Sequence, residues 1–188
     1  DFEIVIEDNS DTDSLRQWAE AKNDLRLKYN HHADWISVID NCDQALLNCR
    51  GDFVCMLGDD DGIMLDEALT CMSDARRDEV DAVMSPVLNY IWPDLDHRLI
   101  SDYGGKLYIQ PIKGKTTSND FHALGRKVVG RGGALGLGDL PCVYHGFISR
   151  VALTQLFTLA GSHFPGASPD IANAIGLCAV VKRLRRTH

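Results

Sequence analysis

The sequence predicts an α/β protein in which helices cover a mixed, mostly parallel sheet. Short apolar stretches alternate with amphipathic helical patterns over the first 90 residues, and this alternation is typical of strands joined by crossover helices. Hydrophobic residues make up 45% of the 188 residues, which suffices for one buried core. No internal repeat or linker interrupts the sequence, so we predict a single domain over residues 1–188.

Four strands are predicted in the first half, where short apolar stretches end in polar turns. They cover residues 2–6, 25–29, 52–57 and 81–87. The stretch at 52–57 is almost continuously apolar, which is typical of a buried strand in a parallel sheet.

Three helices separate these strands, because apolar residues recur there at every third or fourth position. The first helix is capped by Thr12 or Asp13, the second covers residues 35–49 and the third covers residues 66–77. The inward-facing residues are predicted to be Leu15, Trp18 and Ala19 in the first helix, and Leu69 and Met72 in the third.

The second half loses this alternation between residues 92 and 140. Gly104 and Gly105 indicate a turn between short strands, and residues 119–129 have a helical pattern. The glycines between 130 and 138 contain no dinucleotide fingerprint and indicate a flexible lid or substrate loop. The remaining elements are predicted to be a strand at 142–148, a helix at 151–159, a helix that starts with Ser168 as N-cap and Pro169, and a solvated basic helix face at 182–186.

Charge and cysteine content exclude several classes of protein and site. The formal net charge is -8, so the chain is a poor general binder of nucleic-acid backbones. No stretch of about 18 apolar residues is present, and we expect no transmembrane segment. The six cysteines form no CxxC pair, so we predict small buried side chains in a reducing compartment rather than zinc ligands.

The acidic residues are mostly aspartates, 22 Asp against 5 Glu, and aspartate suits caps, turns and metal sites. Asp59, Asp60 and Asp61 follow the strand at 52–57, at the position where open α/β sheets bind ligands. Three adjacent carboxylates repel one another, so a divalent cation near phosphates would stabilise them. An exposed acidic turn is the alternative. An EF-hand is excluded, because with Gly62 at its sixth position the first and last ligands are missing.

Three further side chains are candidates for ligand contacts or catalysis. Asp8 ends the first strand and can accept the N–H of a nucleobase, although an Asx turn explains it equally well. Asp170 lies in the first turn of a helix, where it can act as a general base or only complement the helix dipole. His145, beside Tyr144, can hydrogen-bond a sugar or a phosphate, or it is a satisfied core histidine.

Taken in order, these motifs resemble family 2 glycosyltransferases over nearly the whole chain. Residues 2–13, with the motif EDNS, are similar to that family's second strand and the loop after it. The helix containing Asn41, followed by residues 51–61 with the motif LGDDD, is similar to the stretch that carries the family's DxD motif. Residues 142–146 and residues 164–174, with the motif SPD, are similar to its acceptor-side half.

The resemblance implies a Rossmann-like GT-A fold that binds a nucleotide-sugar with Mn2+ or Mg2+. It implies transfer of the sugar, with inversion, to a hydroxyl acceptor. Residues 1–90 would form the nucleotide-binding half and residues 91–188 the acceptor-side half. Asp170 would be the catalytic base, with Tyr144 and His145 on the acceptor side. The donor contacts would be Asp8, Asn9, Asn41, Asp59 and Asp60, and the metal ligands would be Asp61 and Asp59.

The sequence also departs from the family pattern. The family's first strand and its nucleotide-contacting loop precede the motif around Asp8, so we expect a sheet that lacks its first strand. Gly58 and Glu7 stand where the family often has aspartate. Two alternative functions stay open, a nucleotidyltransferase and a non-catalytic module that binds nucleotide-sugars.

Partners and location follow from the family only by analogy. The donor would be a UDP-sugar, and the acceptor a saccharide or a lipid-linked saccharide in surface polysaccharide biosynthesis. We expect a cytoplasmic chain at the inner face of the membrane, with residues 182–186 as the candidate for peripheral contact with anionic lipid and no nucleic-acid partner.

Overall fold

The computed structural model describes residues 1–85, 87–94, 103–108, 116–117, 120–134 and 136–186. Within these residues the chain forms nine strands and six helices. The strands are β1 (Ile4–Asp8), β2 (Leu27–His31), β3 (Phe53–Val54), β4 (Ala82–Met84), β5 (Asn89–Ile91), β6 (Lys106–Tyr108), β7 (Thr116–Thr117), β8 (Gly146–Ser149) and β9 (Leu184–Arg186). The helices are α1 (Ser14–Lys22), α2 (Val38–Asn48), α3 (Leu65–Asp78), α4 (Phe121–Gly130), α5 (Arg150–Ala160) and α6 (Pro169–Leu177).

The strands form three sheets among the described residues. β1 and β2 are parallel, with Ile4 opposite Leu27 and Asp8 opposite His31. Five strands form a mixed sheet in the order β3-β8-β4-β9-β7, in which β4 and β9 are parallel and the other neighbours are antiparallel. β5 and β6 form a separate antiparallel hairpin. The α/β class with a mixed sheet is therefore confirmed, and the antiparallel share is larger than expected because β8 lies between β3 and β4.

The predicted strand at 52–57 is shorter than expected and pairs differently. Only its β3 part joins a ladder, and that ladder is antiparallel with β8. Beyond β3, Met56 makes one parallel bridge to Tyr144. The Met56 N–H donates to the Val143 carbonyl at 2.8 Å, and its carbonyl accepts the His145 N–H at 3.0 Å. The pairing changes direction because His145, with a φ of 61°, turns the partner segment just before β8.

The basic stretch at 182–186 contains an inner strand of the sheet and is not the predicted solvated helix face. β9 lies between β4 and β7, and Leu184 is buried. Arg185 pairs with Asp74 at 2.8 Å and also with Asp78, so acids of α3 neutralise it. A buried apolar residue followed by a paired arginine lets a basic sequence occupy the middle of a sheet.

The helices have nearly the predicted extents, but their buried faces differ from the prediction. In α1, Ala19 is buried as predicted, whereas Leu15 and Trp18 remain about half exposed. In α3, Met72 packs against a small core cluster as predicted, but Leu69 is half exposed. The small side chains of α3 pack in a cluster with Val83 of β4, and Leu69 lies outside that face. The buried residues of α3 are Ala68, Cys71 and Ala75.

The main hydrophobic core lies between the five-stranded sheet and helices α2, α4, α5 and α6. Cys42, Cys71 and Cys178 are buried free thiols, and the other three cysteines are partly buried and also free, in line with the prediction of small apolar side chains. Within the described residues, every helix is too short or too polar to cross a bilayer.

The turn predicted at Gly104 and Gly105 is confirmed. Gly105 has a φ of 72° and donates its N–H to the Ile91 carbonyl at 2.7 Å, which closes the turn beside the β5–β6 hairpin. Helix α4 begins two residues later than predicted, and Asn119 lies outside the described residues. Three glycines of the segment 130–138 have positive φ, and its role as a lid stays a prediction.

Candidate functional site

The acidic run after β3 forms a turn that directs one carboxylate inward. The Asp61 N–H donates to the Gly58 carbonyl at 3.3 Å and closes the turn. Asp59 and Asp60 are exposed, whereas the Asp61 side chain is 24% exposed and folds back onto the turn. Its Oδ2 accepts the Gly58 N–H at 2.9 Å. The three acids therefore divide into one inner and two outer carboxylates.

Two side chains from a distant segment complete the surroundings of Asp61. The Tyr144 hydroxyl donates to Asp61 Oδ2 at 2.7 Å. His145 Nε2 lies 2.8 Å from the same oxygen, but its approach is too bent for a well-aligned hydrogen bond. The two rings also contact each other, with centroids 4.1 Å apart. Tyr144 and His145, which the resemblance places on the acceptor side, thus lie directly against the expected metal ligand.

Hydrogen bonding decides the charge states of this group. Burial raises the pKa of Asp61, but the hydrogen bonds from Tyr144 and Gly58 and the contact with His145 more than offset burial, so the pKa lies below its ordinary value. The hydrogen bond to Asp61, followed by burial, raises the pKa of Tyr144 to about 12. At neutral pH Asp61 is therefore an ionised acceptor and Tyr144 a neutral donor.

Two glycines allow this close packing. A β-carbon on Gly58 would lie 2.8 Å from the Tyr144 hydroxyl, so the glycine that replaces a family aspartate makes room for the tyrosine. A β-carbon on Gly146 would overlap a backbone carbonyl and the sulfur of Met84. His145, directly before Gly146, has the left-handed φ of 61° that non-glycine residues rarely adopt. Such strained backbone is concentrated at functional sites in proteins.

Asp170 lies in the first turn of α6, as predicted, and is exposed. Ser168 occupies the N-cap position, but its hydroxyl donates to Asp170 Oδ1 at 2.7 Å and does not cap the helix backbone. The Asp170 carbonyl accepts a weak contact from Cys142 Sγ at 3.7 Å. After the hydrogen bond to the acidic turn and burial, the negative charges of Asp60 and Asp170 also raise the pKa of Tyr144. Asp170 and the acidic turn therefore lie within electrostatic reach of the same tyrosine.

Asp8 is enclosed at the end of β1, where it is 6% exposed. Its Oδ1 accepts the N–H and the hydroxyl of Ser10 at 2.9 and 2.5 Å, and its Oδ2 accepts the Tyr29 hydroxyl at 2.6 Å. Burial raises the pKa of Asp8, but these hydrogen bonds more than offset it, so the pKa lies below its ordinary value. This is the Asx turn that the sequence left open as an alternative. Asn9 beside it is exposed, and the nucleobase contact stays a prediction.

Asn41 and Glu7 join α2 to the end of β1. Asn41 Nδ2 donates to the Glu7 carbonyl at 3.1 Å, and Asn41 Oδ1 is buried without a hydrogen-bond partner. The Glu7 carboxylate, 1% exposed, accepts from Asn30 and Asn48 at 2.7 Å each and lies 2.9 Å from His32 Nε2. The longer glutamate side chain thus bridges a strand and a helix. Among the described residues, no hydrogen bond links this group to the acidic turn.

A buried polar network that the sequence reasoning missed supports the Tyr144 segment. Asn173 Oδ1 accepts the Val143 N–H at 2.9 Å, and Asn173 Nδ2 donates to the His163 carbonyl at 3.0 Å. An Asp43 oxygen of α2 lies 2.8 Å from both the backbone N and Nδ1 of His163. The network therefore ties α2 and α6 to the residue before Tyr144. Its signal in the sequence is a polar residue on each apolar helix face, Asp43 beside Cys42 and Asn173 beside Ala174.

The acidic turn offers carboxylates to a metal ion without forming a closed site. Within the described ranges, no group of three His, Cys, Asp or Glu side chains is arranged to hold one. Asp60 also lies beside this turn, because a β-carbon on Gly58 would lie 2.9 Å from Asp60 Oδ1 and 3.0 Å from Asp61 Oδ2, the oxygen that accepts from Gly58 and Tyr144. Mg2+ is commonly held by one or two carboxylates together with water and substrate phosphates. These residues fit a cation that arrives with a phosphorylated substrate, and they do not form a closed cage for a resident ion.

Comparison with known proteins adds independent findings. The family model described as glycosyl transferase family 2 matches residues 1–135. Among solved structures, residues 1–349 of S. aureus TarS match with a TM-score of 0.63 at 16% sequence identity, which confirms the expected GT-A fold. That match covers 99% of this chain and 48% of the TarS chain, so this chain spans about half of its length. Among curated proteins, no significant match was found.

Proposed function

The chain belongs to glycosyl transferase family 2, and on that premise we propose that it transfers a sugar from a nucleotide-sugar to a hydroxyl group with inversion. The observation that supports this best is the Asp61 carboxylate. Its Oδ2 is bound by Gly58 and Tyr144, while its Oδ1 accepts no hydrogen bond from the described residues. One oxygen thus fixes the orientation of the side chain, and the other is free to face a ligand.

We assign the nucleoside of the donor to the end of β1, where Asp8, Asn9 and Asn41 lie. An ionised carboxylate has roughly four acceptor positions, and three of those on Asp8 are in use. The remaining position and the unpaired Oδ1 of Asn41 are acceptors that suit the N–H of a base such as uracil. Exposed Asn9 can donate to the sugar of the nucleoside. These groups support a UDP-sugar as the donor.

We assign Asp61, with Asp59, to a Mn2+ or Mg2+ ion that enters with the donor. When bound, such an ion neutralises the charge that develops on a diphosphate leaving group. The chain's own part is to keep Asp61 ionised and in one rotamer through the donors on Oδ2. Asp60, exposed beside it, is placed to contact the sugar of the donor.

We assign Asp170 as the general base. It lies exposed in the first turn of α6, and Ser168 donates only to Oδ1, which leaves Oδ2 for a proton. Asp170 takes the proton of the acceptor hydroxyl, whose oxygen attacks the anomeric carbon from the side opposite the nucleoside diphosphate. The bond to the diphosphate breaks as the new bond forms, so the configuration at that carbon inverts.

We further propose an acceptor that is a saccharide or a lipid-linked saccharide of surface polysaccharide biosynthesis. Family membership supports glycosyl transfer as the reaction. Lys182 and Arg183 are exposed directly before β9, which supports peripheral contact with anionic lipid at the inner face of the membrane.

A donor screen tests the proposed reaction. The purified chain is incubated with UDP-, GDP- and dTDP-sugars and MnCl2 or MgCl2, and released nucleoside diphosphate is measured. We expect one donor class to give release that EDTA abolishes. Release of pyrophosphate would instead indicate nucleotidyl transfer. If no donor gave either product, the proposed glycosyltransferase activity would be contradicted.

The variant Asp170→Asn tests the assignment of the base. It keeps the size of the side chain but cannot take a proton, so transfer should fall by about a hundredfold or more. Donor affinity, measured by calorimetry, should stay at the wild-type value. Parallel loss of donor affinity and transfer would count against Asp170 as the base.

A further inference from the structure

Away from this site, the hairpin of β5 and β6 presents an apolar face to solvent. Tyr90 lies opposite Leu107 in the hairpin register, and Leu88 and Trp92 lie two positions to either side of Tyr90. Because side chains alternate along a strand, these four side chains lie on one face. Their exposed fractions are 42% for Leu88, 47% for Tyr90, 61% for Trp92 and 53% for Leu107. We call these four residues the aromatic platform.

The opposite face of the hairpin is mixed, with Asn89 and Lys106 exposed and two other side chains partly buried. Ile91 and Tyr108 on that face are partly buried, and the Tyr108 ring contacts Tyr103 with centroids 5.9 Å apart. The aromatic platform is therefore not the face through which the hairpin packs. A contiguous exposed apolar patch of this kind commonly marks a binding surface.

The two rings of the aromatic platform use only one of their four faces against each other. Tyr90 and Trp92 have centroids 5.2 Å apart and planes at 87°. In such an edge-to-face pair, only one ring uses its face against the other. The face of an aromatic ring is electron-rich, and the C–H groups on one side of a pyranose ring are slightly positive, so a sugar can lie flat on it.

The hairpin also starts close to the candidate site. β4 ends at Met84, whose sulfur would overlap a β-carbon on Gly146, the residue after His145. The chain then runs from Met84 to Asn89 at the start of β5, a distance of at most about 17 Å for an extended chain. A ligand of a few linked sugars can reach from the aromatic platform toward the acidic turn.

We propose that the aromatic platform binds the saccharide of the acceptor, with sugar rings stacked on Trp92 and Tyr90. The choice of a saccharide rests on the proposed glycosyl transfer. An anionic membrane is a poorer occupant of the aromatic platform, because none of its four residues is basic. The acceptor is therefore held at some distance from the bond that forms, and the length of its glycan matters for binding.

The test compares the double variant Tyr90→Ala/Trp92→Ala with Trp18→Ala. Trp18, 48% exposed on α1, is a matched control for loss of a surface ring. The probes are cellotetraose, chitotetraose and maltotetraose in titrations, and an array of bacterial surface oligosaccharides for retention of labelled protein. We expect the wild type and Trp18→Ala to bind at least one probe equally, and the double variant to bind it about tenfold more weakly. Equal melting temperatures by circular dichroism would show that all three chains are folded.

Equal saccharide binding by the wild type and the double variant would overturn the inference. It would also be overturned if the wild type bound no saccharide. The inference also fails if the double variant instead abolishes a dimer seen by sedimentation velocity, or abolishes binding to phosphatidylglycerol vesicles. These readouts need no turnover, so a chain that binds saccharide through the aromatic platform but releases no nucleoside diphosphate would refute the proposed function alone.

Discussion

Asp8, at the end of β1, and Asp61, in the turn after β3, have similar surroundings but differ in which of their oxygens accept hydrogen bonds. Asp8 and Asp61 each accept a tyrosine hydroxyl, from Tyr29 at 2.6 Å and from Tyr144 at 2.7 Å, and each accepts an N–H of its own turn at 2.9 Å. At Asp8 the donors occupy both oxygens, whereas at Asp61 they all lie on Oδ2. The same chemistry therefore leaves Asp8 with one acceptor position, whereas it leaves Asp61 with a whole oxygen for a ligand.

The partners of these two aspartates also lie at different distances along the chain. Tyr29 is 21 residues from Asp8, on the neighbouring strand β2. Tyr144 is 83 residues from Asp61, so this hydrogen bond joins two distant segments of the chain. Asp8 stabilises a local β-α-β unit, whereas Asp61 acquires its surroundings only in the complete fold. Variants at the two positions should therefore affect different properties.

The largest expected effect is on turnover in Asp61→Asn. The amide keeps the shape but not the charge, so metal-dependent release of nucleoside diphosphate should fall by about a hundredfold or more. Asp8→Asn should retain most turnover, with a raised donor KM. The control Asp52→Asn, 78% exposed at the other end of β3, should behave as the wild type. Undiminished turnover in Asp61→Asn would refute the different roles of Asp61 and Asp8.

The next effect is on stability in Asp8→Ala. The change leaves the Tyr29 hydroxyl and the Ser10 N–H without their acceptor, so the free energy of unfolding should decrease by about 1–3 kcal/mol. Urea denaturation measures this quantity. Asp11→Ala, an exposed aspartate in the same loop, is the control and should change it little. If the free energy of unfolding decreases equally in both variants, the hydrogen bonds of Asp8 do not stabilise the fold more than an exposed aspartate does.

Acid should weaken the contribution of Asp8. Its pKa in the folded chain lies below its ordinary value, so the stabilisation is complete above about pH 4 and is lost as the pH falls through the lower, folded value. The difference in unfolding free energy between wild type and Asp8→Asn should thus be constant near neutral pH and shrink in acid. A difference that stays constant throughout the acid range would contradict the lowered pKa.

The smallest effect separates the two tyrosines. Tyr144→Phe removes a donor from Asp61, so the Mn2+ concentration needed for half-maximal turnover should rise by about tenfold, with little change in melting temperature. Tyr29→Phe should lower the free energy of unfolding by about 1 kcal/mol and leave the Mn2+ requirement unchanged. The opposite assignment of effects would mean that Asp8, rather than Asp61, holds the metal ion.

The parts of the site with local signals could be predicted from the sequence. The acidic turn follows an apolar strand, and the start of α6 is marked by Ser168 and Pro169, so both were found in their correct places. The hydrogen bond between Tyr144 and Asp61 could not be predicted, because it depends on how β3 and the segment before β8 meet. Local periodicity contains no information on that pairing.

The wrong prediction of a solvated helix face at residues 182–186, which contain β9, has a related cause. A run of basic residues suggests solvent exposure when it is considered alone. Arg185 becomes a residue of an inner strand only because Asp78, 107 positions earlier, lies beside it. In α3, the helical pattern predicts Leu69 inward, but the buried face consists of the small residues Ala68, Cys71 and Ala75, which hydrophobic spacing alone does not identify.

The position of β9 has a consequence for how the chain is synthesised. β4 pairs with β9, and the Asp81 carboxylate accepts the N–H groups of Lys182 and Arg183, which are 101 and 102 positions further along the chain. While the ribosome is making the intervening residues, β1, α1 and β2 can already assemble, but both edges of β4 are unpaired until β8 has been made, and one edge stays unpaired until β9 follows. The five-stranded sheet closes only after β9 has emerged, so a nascent chain that stalls before this point exposes an open strand edge to chaperones and proteases.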